Sequence, residues 1–130
     1  QKWKQFSPKG LIIRTIPNDK EKQFYNYSQN EPPFFTNDAI KYLINIGIEH
    51  LVVDLPSIDR IDDKGMLGNH RIFWGGDIDS KTINTKSTNT ITELVYINNE
   101  IIDGFYFLNL QLPHFVCDAA PSRPIIIAVD

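Results

Sequence analysis

The run Asp54-Leu55-Pro56-Ser57-Ile58-Asp59-Arg60 places two carboxylates and a guanidinium within one short stretch of chain. It follows Leu51-Val52-Val53, an apolar run that reads as a buried strand, and the chain then turns at Pro56. In α/β folds ligands sit at the carboxyl ends of strands, so ionisable groups delivered to that edge form a candidate site. His70 follows downstream in Gly68-Asn69-His70-Arg71, and Glu93 stands between Thr92 and Leu94. A charge inside such a strand is costly unless it is paired or solvated. One His and one Glu on separate elements can share a divalent cation, although zinc sites normally take three or four protein ligands. The plain alternative is a surface histidine and a solvent-facing strand glutamate.

The remaining reactive side chains carry weaker signals. His50 opens a strand beside Glu49 and reads as a half-exposed strand residue, since a lone histidine is not a site. His114 follows Pro113 in a loop and reads the same way. Asp118-Ala119-Ala120-Pro121-Ser122-Arg123 is a compact turn with one Asp and one Arg, and an Asx-turn with prolines would account for it. Cys117 reads as a small buried hydrophobe. The chain holds no Gly-x-Gly-x-x-Gly, no phosphate-binding loop, no paired-cysteine motif and no Gly-x-Ser-x-Gly.

These side chains need elements to position them. Gly10 to Ile16 is rich in β-branched residues and stops at Pro17, which predicts a strand. Residues 17–34 hold Pro, Asn, Asp and several aromatics and read as a long loop, the kind that in compact domains is often functional. Thr36 is a good helix N-cap. Ala39, Ile40, Leu43, Ile44 and Ile46 follow with helical spacing, and Gly47 stands where a C-terminal glycine belongs. Ile48 to Asp54 is the next strand, so strand, helix and strand make a βαβ unit. One or two helical turns are expected within 64–74, carrying His70. Residues 75–90 are polar and read as a mobile surface loop, and strands are expected over 91–97, 104–112 and 124–129. The expected class is α/β with mixed strand direction, in a single domain spanning 1–130.

Composition narrows the function. The 130 residues are 42% hydrophobic and 12% aromatic, which supplies a core, and the net charge of −3 leaves no electrostatic footprint for nucleic acid. No apolar run approaches the ~20 residues that span a bilayer. The N-terminus shows no apolar signal segment, and one cysteine cannot form an internal disulfide, so a cytoplasmic location and no membrane partner are expected. The start at Gln1 rather than Met suggests a trimmed product or a piece of a longer chain.

Taken in order, these segments resemble the cyclase family of metal-dependent hydrolases, which includes the bacterial kynurenine formamidases. Leu11-Ile12-Ile13-Arg14-Thr15 is similar to the family's strand before its variable loop. Gly47-Ile48 through Asp54-Leu55-Pro56-Ser57-Ile58-Asp59 is similar to its Asp-x-Pro-Ser-[Ile/Val]-Asp stretch. His70 and Glu93 fall where the family has metal-binding residues, and Asp118 to Arg123 is similar to its closing Asp-Ala-[Ser/Ala]-Pro-x-[Arg/Lys] turn. The family's His-x-Gly-Thr-His-x-Asp signature, from its N-terminal half, occurs nowhere in the chain, so the resemblance is to the C-terminal half. Residues 75–90 lengthen the gap between His70 and Glu93 and look like an insertion.

The resemblance implies a cyclase-like, swivelling β/β/α fold. It implies a hydrolase of amides, esters or lactams that uses zinc or manganese, bound partly by His70 and Glu93. The other ligands and the general base would come from the N-terminal half of the same protein, and a homodimer acting on a small-molecule substrate is expected. Asp54, Asp59, Arg60, Asp118 and Arg123 are then expected to support the ligands or the fold, and a carboxylate among them could orient His70. Specificity would lie in the missing half and in the aromatic loop of Phe24, Tyr25, Tyr27, Phe34 and Phe35. The rival expectation is a catalytically inactive lobe or small-molecule-binding module of the same fold.

Overall fold

The computed structural model describes residues 7–76, 84, 86–114 and 116–129. These form two compact units, 1–96 and 97–130. The first carries β1 (Gly10–Ile13), a 3-10 turn (Lys20–Phe24), α1 (Asn37–Asn45), β2 (His50–Val53), α2 (Gly68–Phe73) and β3 (Thr90–Thr92). The second carries β4 (Tyr106–Asn109) and β5 (Ile125–Ala128).

The three strands of the first unit form a parallel sheet in the order β1-β2-β3, with Ile13 beside Val53 and Val52 beside Thr92. Helix α1 is the crossover between β1 and β2, as the βαβ pattern predicts. Strands β4 and β5 pair antiparallel, with Phe107 opposite Ile127. Strand direction is therefore mixed along the chain but not within either sheet.

Local chemistry fixes the ends of α1. The Thr36 hydroxyl accepts from Ala39 N–H at 3.2 Å. At the other end Gly47 has φ +90°. Its N–H donates to Ile44 O at 2.9 Å and Ile48 N–H donates to Leu43 O at 3.0 Å, the paired bonds of a helix closed by a left-handed residue. A Cβ at Gly47 would meet nothing within 4 Å, so the need for glycine here is conformational.

The core lies between α1, α2 and the sheet. Ile40, Leu43, Ile48, Leu51, Val53, Leu55, Ile58, Ile72 and Phe73 form one buried cluster. Each such side chain stabilises by about 1.5–3 kcal/mol when fully buried. Val52 is 1% exposed although it points away from Leu51 and Val53, so both faces of β2 are covered, as suits the central strand of a parallel sheet. Ile46, expected on the buried helix face, is 48% exposed, because the helix has already turned toward its cap there.

Several expectations are corrected. Strand β1 ends at Ile13 rather than Ile16, because Thr15 N–H leaves the ladder to donate to the Asp54 carboxylate at 2.8 Å. The loop over 17–34 contains the 3-10 turn, which Lys22 anchors from its middle. Strand β3 stops at Thr92, so Glu93 lies just past its carboxyl end rather than within it. Leu94 then takes φ +58° and its N–H donates to Leu55 O at 2.8 Å, which turns the chain out of the ladder. Cys117 is exposed rather than buried, because it sits in the connection between β4 and β5. The expected polar loop 75–90 falls largely outside the described residues. Its described members Asn84 and Asn89 donate to Trp74 O at 2.8 Å and Phe73 O at 2.7 Å, closing the end of α2.

Candidate functional site

The carboxyl ends of β2 and β3 lie side by side in a parallel sheet, and the turn after β2 carries Asp54 and Asp59 past that edge. Helix α2 then returns over the same edge and brings His70. Its N-terminus has no side-chain cap of its own, and Leu67 before it is left-handed at φ +49°. The missing cap comes from a distance. Asp59 Oδ1 accepts from Asn69 N–H at 2.6 Å, and Asp59 Oδ2 lies 3.4 Å from His70 N.

Asp59 Oδ2 also meets His70 Nδ1 at 2.6 Å. The far ring nitrogen, Nε2, lies 3.4 Å from Glu93 Oε1. Glu93 Oε1 in turn accepts from Ile58 N–H at 2.8 Å. The result is a row of carboxylate, imidazole and carboxylate, with side-chain exposures of 6% for Asp59, 13% for His70 and 25% for Glu93. Trp74 packs edge-on against the imidazole, with ring centroids 5.3 Å apart.

The two carboxylates titrate in opposite senses. Burial alone would raise Asp59, but the hydrogen bonds from His70 and Asn69 prevail and hold it below the ordinary aspartate value. Burial pushes Glu93 above the ordinary glutamate value, against the opposing pull of Ile58 N–H, His70 and Ser57.

Asn69 is the residue that sequence reasoning missed. It is 3% exposed, and its amide donates to Phe35 O at 2.7 Å and Ile58 O at 2.8 Å. It therefore ties α2, the entry to α1 and the Asp59 turn together. The only available signal was its position beside His70.

Asp54 has a different task. It is 4% exposed and accepts from Thr15 N–H at 2.8 Å, Thr15 Oγ1 at 3.1 Å and Lys22 Nζ at 2.7 Å. Lys22 also donates to Thr15 O at 2.8 Å and Thr15 Oγ1 at 2.7 Å. This buried pair clamps the loop after β1 to the end of β2. Beside it runs a groove of about 360 Å³ whose lining includes Tyr25, Tyr27 and Pro33. Burial, and then the Asp54 charge, raise the Tyr27 phenol. Phe24, expected with them, is 86% exposed.

Arg60 does not join His70 and Glu93. It is exposed, donates from Nε to Glu31 at 2.6 Å and lies over the Phe34 ring at 5.1 Å. His50 is half-buried in β2, as expected of a strand residue, and its Nδ1 meets Thr90 Oγ1 on the neighbouring strand at 2.9 Å. In the second unit Asp118 and Arg123 are both exposed, and Asp118 Oδ1 accepts from Ala119 N–H at 3.0 Å.

The row supplies one imidazole nitrogen and one carboxylate to a common point, a donor mixture suited to zinc or manganese. Among the described residues no three His, Cys, Asp or Glu side chains converge to hold a metal ion. Among the described residues no helix is long and apolar enough to cross a membrane.

Fold and site thus define an α/β protein with a partly buried carboxylate–histidine–carboxylate row at the edge of a parallel sheet. The chain is similar to curated kynurenine formamidases. It is 30% identical over 118 residues to those of Bacillus mycoides and Bacillus anthracis, a match covering 89% of this chain and 48% of each relative. It is 28% identical over 126 residues to that of Bacillus cytotoxicus, covering 94% of this chain and 52% of the relative. The chain spans about half the length of the curated relatives it matches. No family model and no solved structure matches the chain.

Proposed function

We propose that this chain is part of a metal-dependent hydrolase of the cyclase family, acting on amide, ester or lactam bonds. Formamides of the kynurenine type are the first substrates to try, after the name of the relatives. The observation that carries this reading is His70 Nε2 facing Glu93 Oε1 at 3.4 Å while Nδ1 is held by Asp59. Metal-ligating histidines characteristically donate their other ring nitrogen to a carboxylate.

His70 and Glu93 would hold the cation, zinc or manganese. A bound divalent cation lowers the pKa of water toward ~7 and polarises a carbonyl. His70 enters as a neutral donor, Glu93 contributes negative charge, and Ile58 N–H keeps the glutamate turned toward the ring. The relatives are about twice as long as this chain, and the remaining ligands and the general base are assigned to the rest of the protein. A homodimer in the cytoplasm belongs to the same reading.

The test is metal content and hydrolysis in the full-length protein that carries this chain. His70→Ala is expected to lose metal and activity together. Metal retained at the parent stoichiometry would remove His70 from the ligand set. A second reading has one observation in its favour, that only two candidate ligands converge among the described residues. It makes the protein an inactive, small-molecule-binding relative, and full-length protein without stoichiometric metal would select it.

A further inference from the structure

The environment of His70 is asymmetric in a way that does more than hold a helix. Asp59 Oδ2 and His70 Nδ1 are 2.6 Å apart, and an ionised carboxylate can only accept. The hydrogen of that bond therefore stands on Nδ1. A neutral imidazole with its hydrogen on Nδ1 has a bare lone pair on Nε2, the nitrogen that faces Glu93. Trp74 packs edge-on to the ring and restrains its position, but an aromatic edge does not choose between the two nitrogens.

We propose that Asp59 is the positioning residue of this site: it fixes His70 as the Nδ1–H tautomer and aims the Nε2 lone pair at the point shared with Glu93. The proposal rests on the reading of His70 and Glu93 as metal ligands for its consequence, a cation affinity that depends on Asp59. The same carboxylate also caps α2 through Asn69 N–H at 2.6 Å, so a purely structural role has to be separated from it. Asn69 makes the separation possible. Its amide bonds to Phe35 O and Ile58 O brace the same turn without touching the imidazole.

The experiment uses the full-length protein that carries this chain. Long-range ¹H–¹⁵N NMR of the metal-free protein, at a pH where the imidazole is neutral, reads the His70 tautomer, and calorimetry with Zn²⁺ alone reads affinity. In the parent, Nδ1–H is expected. Asp59→Asn presents an amide N–H that competes for Nδ1, so the Nε2–H form is expected to appear and Zn²⁺ affinity to fall about 10–100-fold. Asn69→Ala loosens the turn and is expected to keep the Nδ1–H tautomer with a smaller fall in affinity.

An Nε2–H tautomer in the parent overturns the proposal. So does parent-like affinity in Asp59→Asn, or an equal fall in Asn69→Ala. If Asp59→Asn does not fold, the parent tautomer decides alone. If the parent binds no Zn²⁺ yet shows Nδ1–H that Asp59→Asn abolishes, the metal reading fails and the positioning role stands.

Discussion

Asp54 and Asp59 leave the same strand, stand on either side of Pro56 and Ser57, and are both almost wholly buried, at 4% and 5% exposure. They solve the problem of a buried carboxylate differently. Asp54 is neutralised by Lys22 and by two donors from Thr15, and that cluster is closed on itself. Asp59 is matched by a backbone N–H and a histidine ring, and the ring carries its influence outward to Glu93. A carboxylate paired with a lysine makes a clamp. A carboxylate paired with an imidazole leaves the second ring nitrogen available for chemistry.

The comparison breaks most readily at Asp54. Asp54→Ala leaves the Lys22 ammonium, 14% exposed at its side chain, without its carboxylate, and removing one partner of a buried pair costs about 3–5 kcal/mol. Urea unfolding should show that loss, and adding Lys22→Met should recover most of it. Zn²⁺ affinity should be unchanged in protein that remains folded. A loss of affinity as large as that of Asp59→Asn would erase the distinction between clamp and site.

A smaller effect sharpens the comparison within the row. A carboxyl raised by folding stabilises the fold below its ordinary value and loses that contribution as pH rises through the raised value. That is the case of Glu93. Metal-free Glu93→Gln is therefore expected to gain stability over the parent as pH rises through that window. A carboxyl lowered by folding stabilises above its ordinary value and loses the contribution as pH falls through the lowered one. That is the case of Asp59. Asp59→Asn is expected to be less stable than the parent at neutral pH, with the difference shrinking in acid. Urea unfolding across pH checks both, and parallel profiles for the two variants would contradict the opposite environments.

The smallest effect serves as a control. Thr36→Ala removes the α1 cap, with an expected loss of about 1 kcal/mol by thermal or urea unfolding and no change in Zn²⁺ affinity. A change in affinity would mean that any loss of stability reaches the row, and would weaken the contrast between Asp54 and Asp59.

The α1 region was legible almost residue by residue, because its signals are local: Thr36 as cap, the spacing of Ile40 and Leu43, and Gly47 as terminator. The strand cores were legible from β-branched runs, but their ends were not. Strand β1 ends early because Asp54, far along the chain, captures Thr15 N–H, and β3 ends early because Leu94 turns at positive φ. Arg60 looked like a site residue from its neighbours in sequence, yet Glu31 and Phe34 draw it to the surface. Cys117 looked buried by type and proved exposed by place.

By itself the sequence determined that α/β elements form here, where their apolar faces lie, and that Asp54 and Asp59 follow the end of a strand while His70 rides a short helical turn. Those are properties of spacing and of local hydrogen bonds. That Glu93 stands past a strand end rather than within it came from the structure. Only the tertiary structure decided which carboxylate meets the histidine, which meets a lysine, and which nitrogen faces Glu93. Partners brought together across a sheet edge are chosen by packing, which carries no signature in the residues next to them.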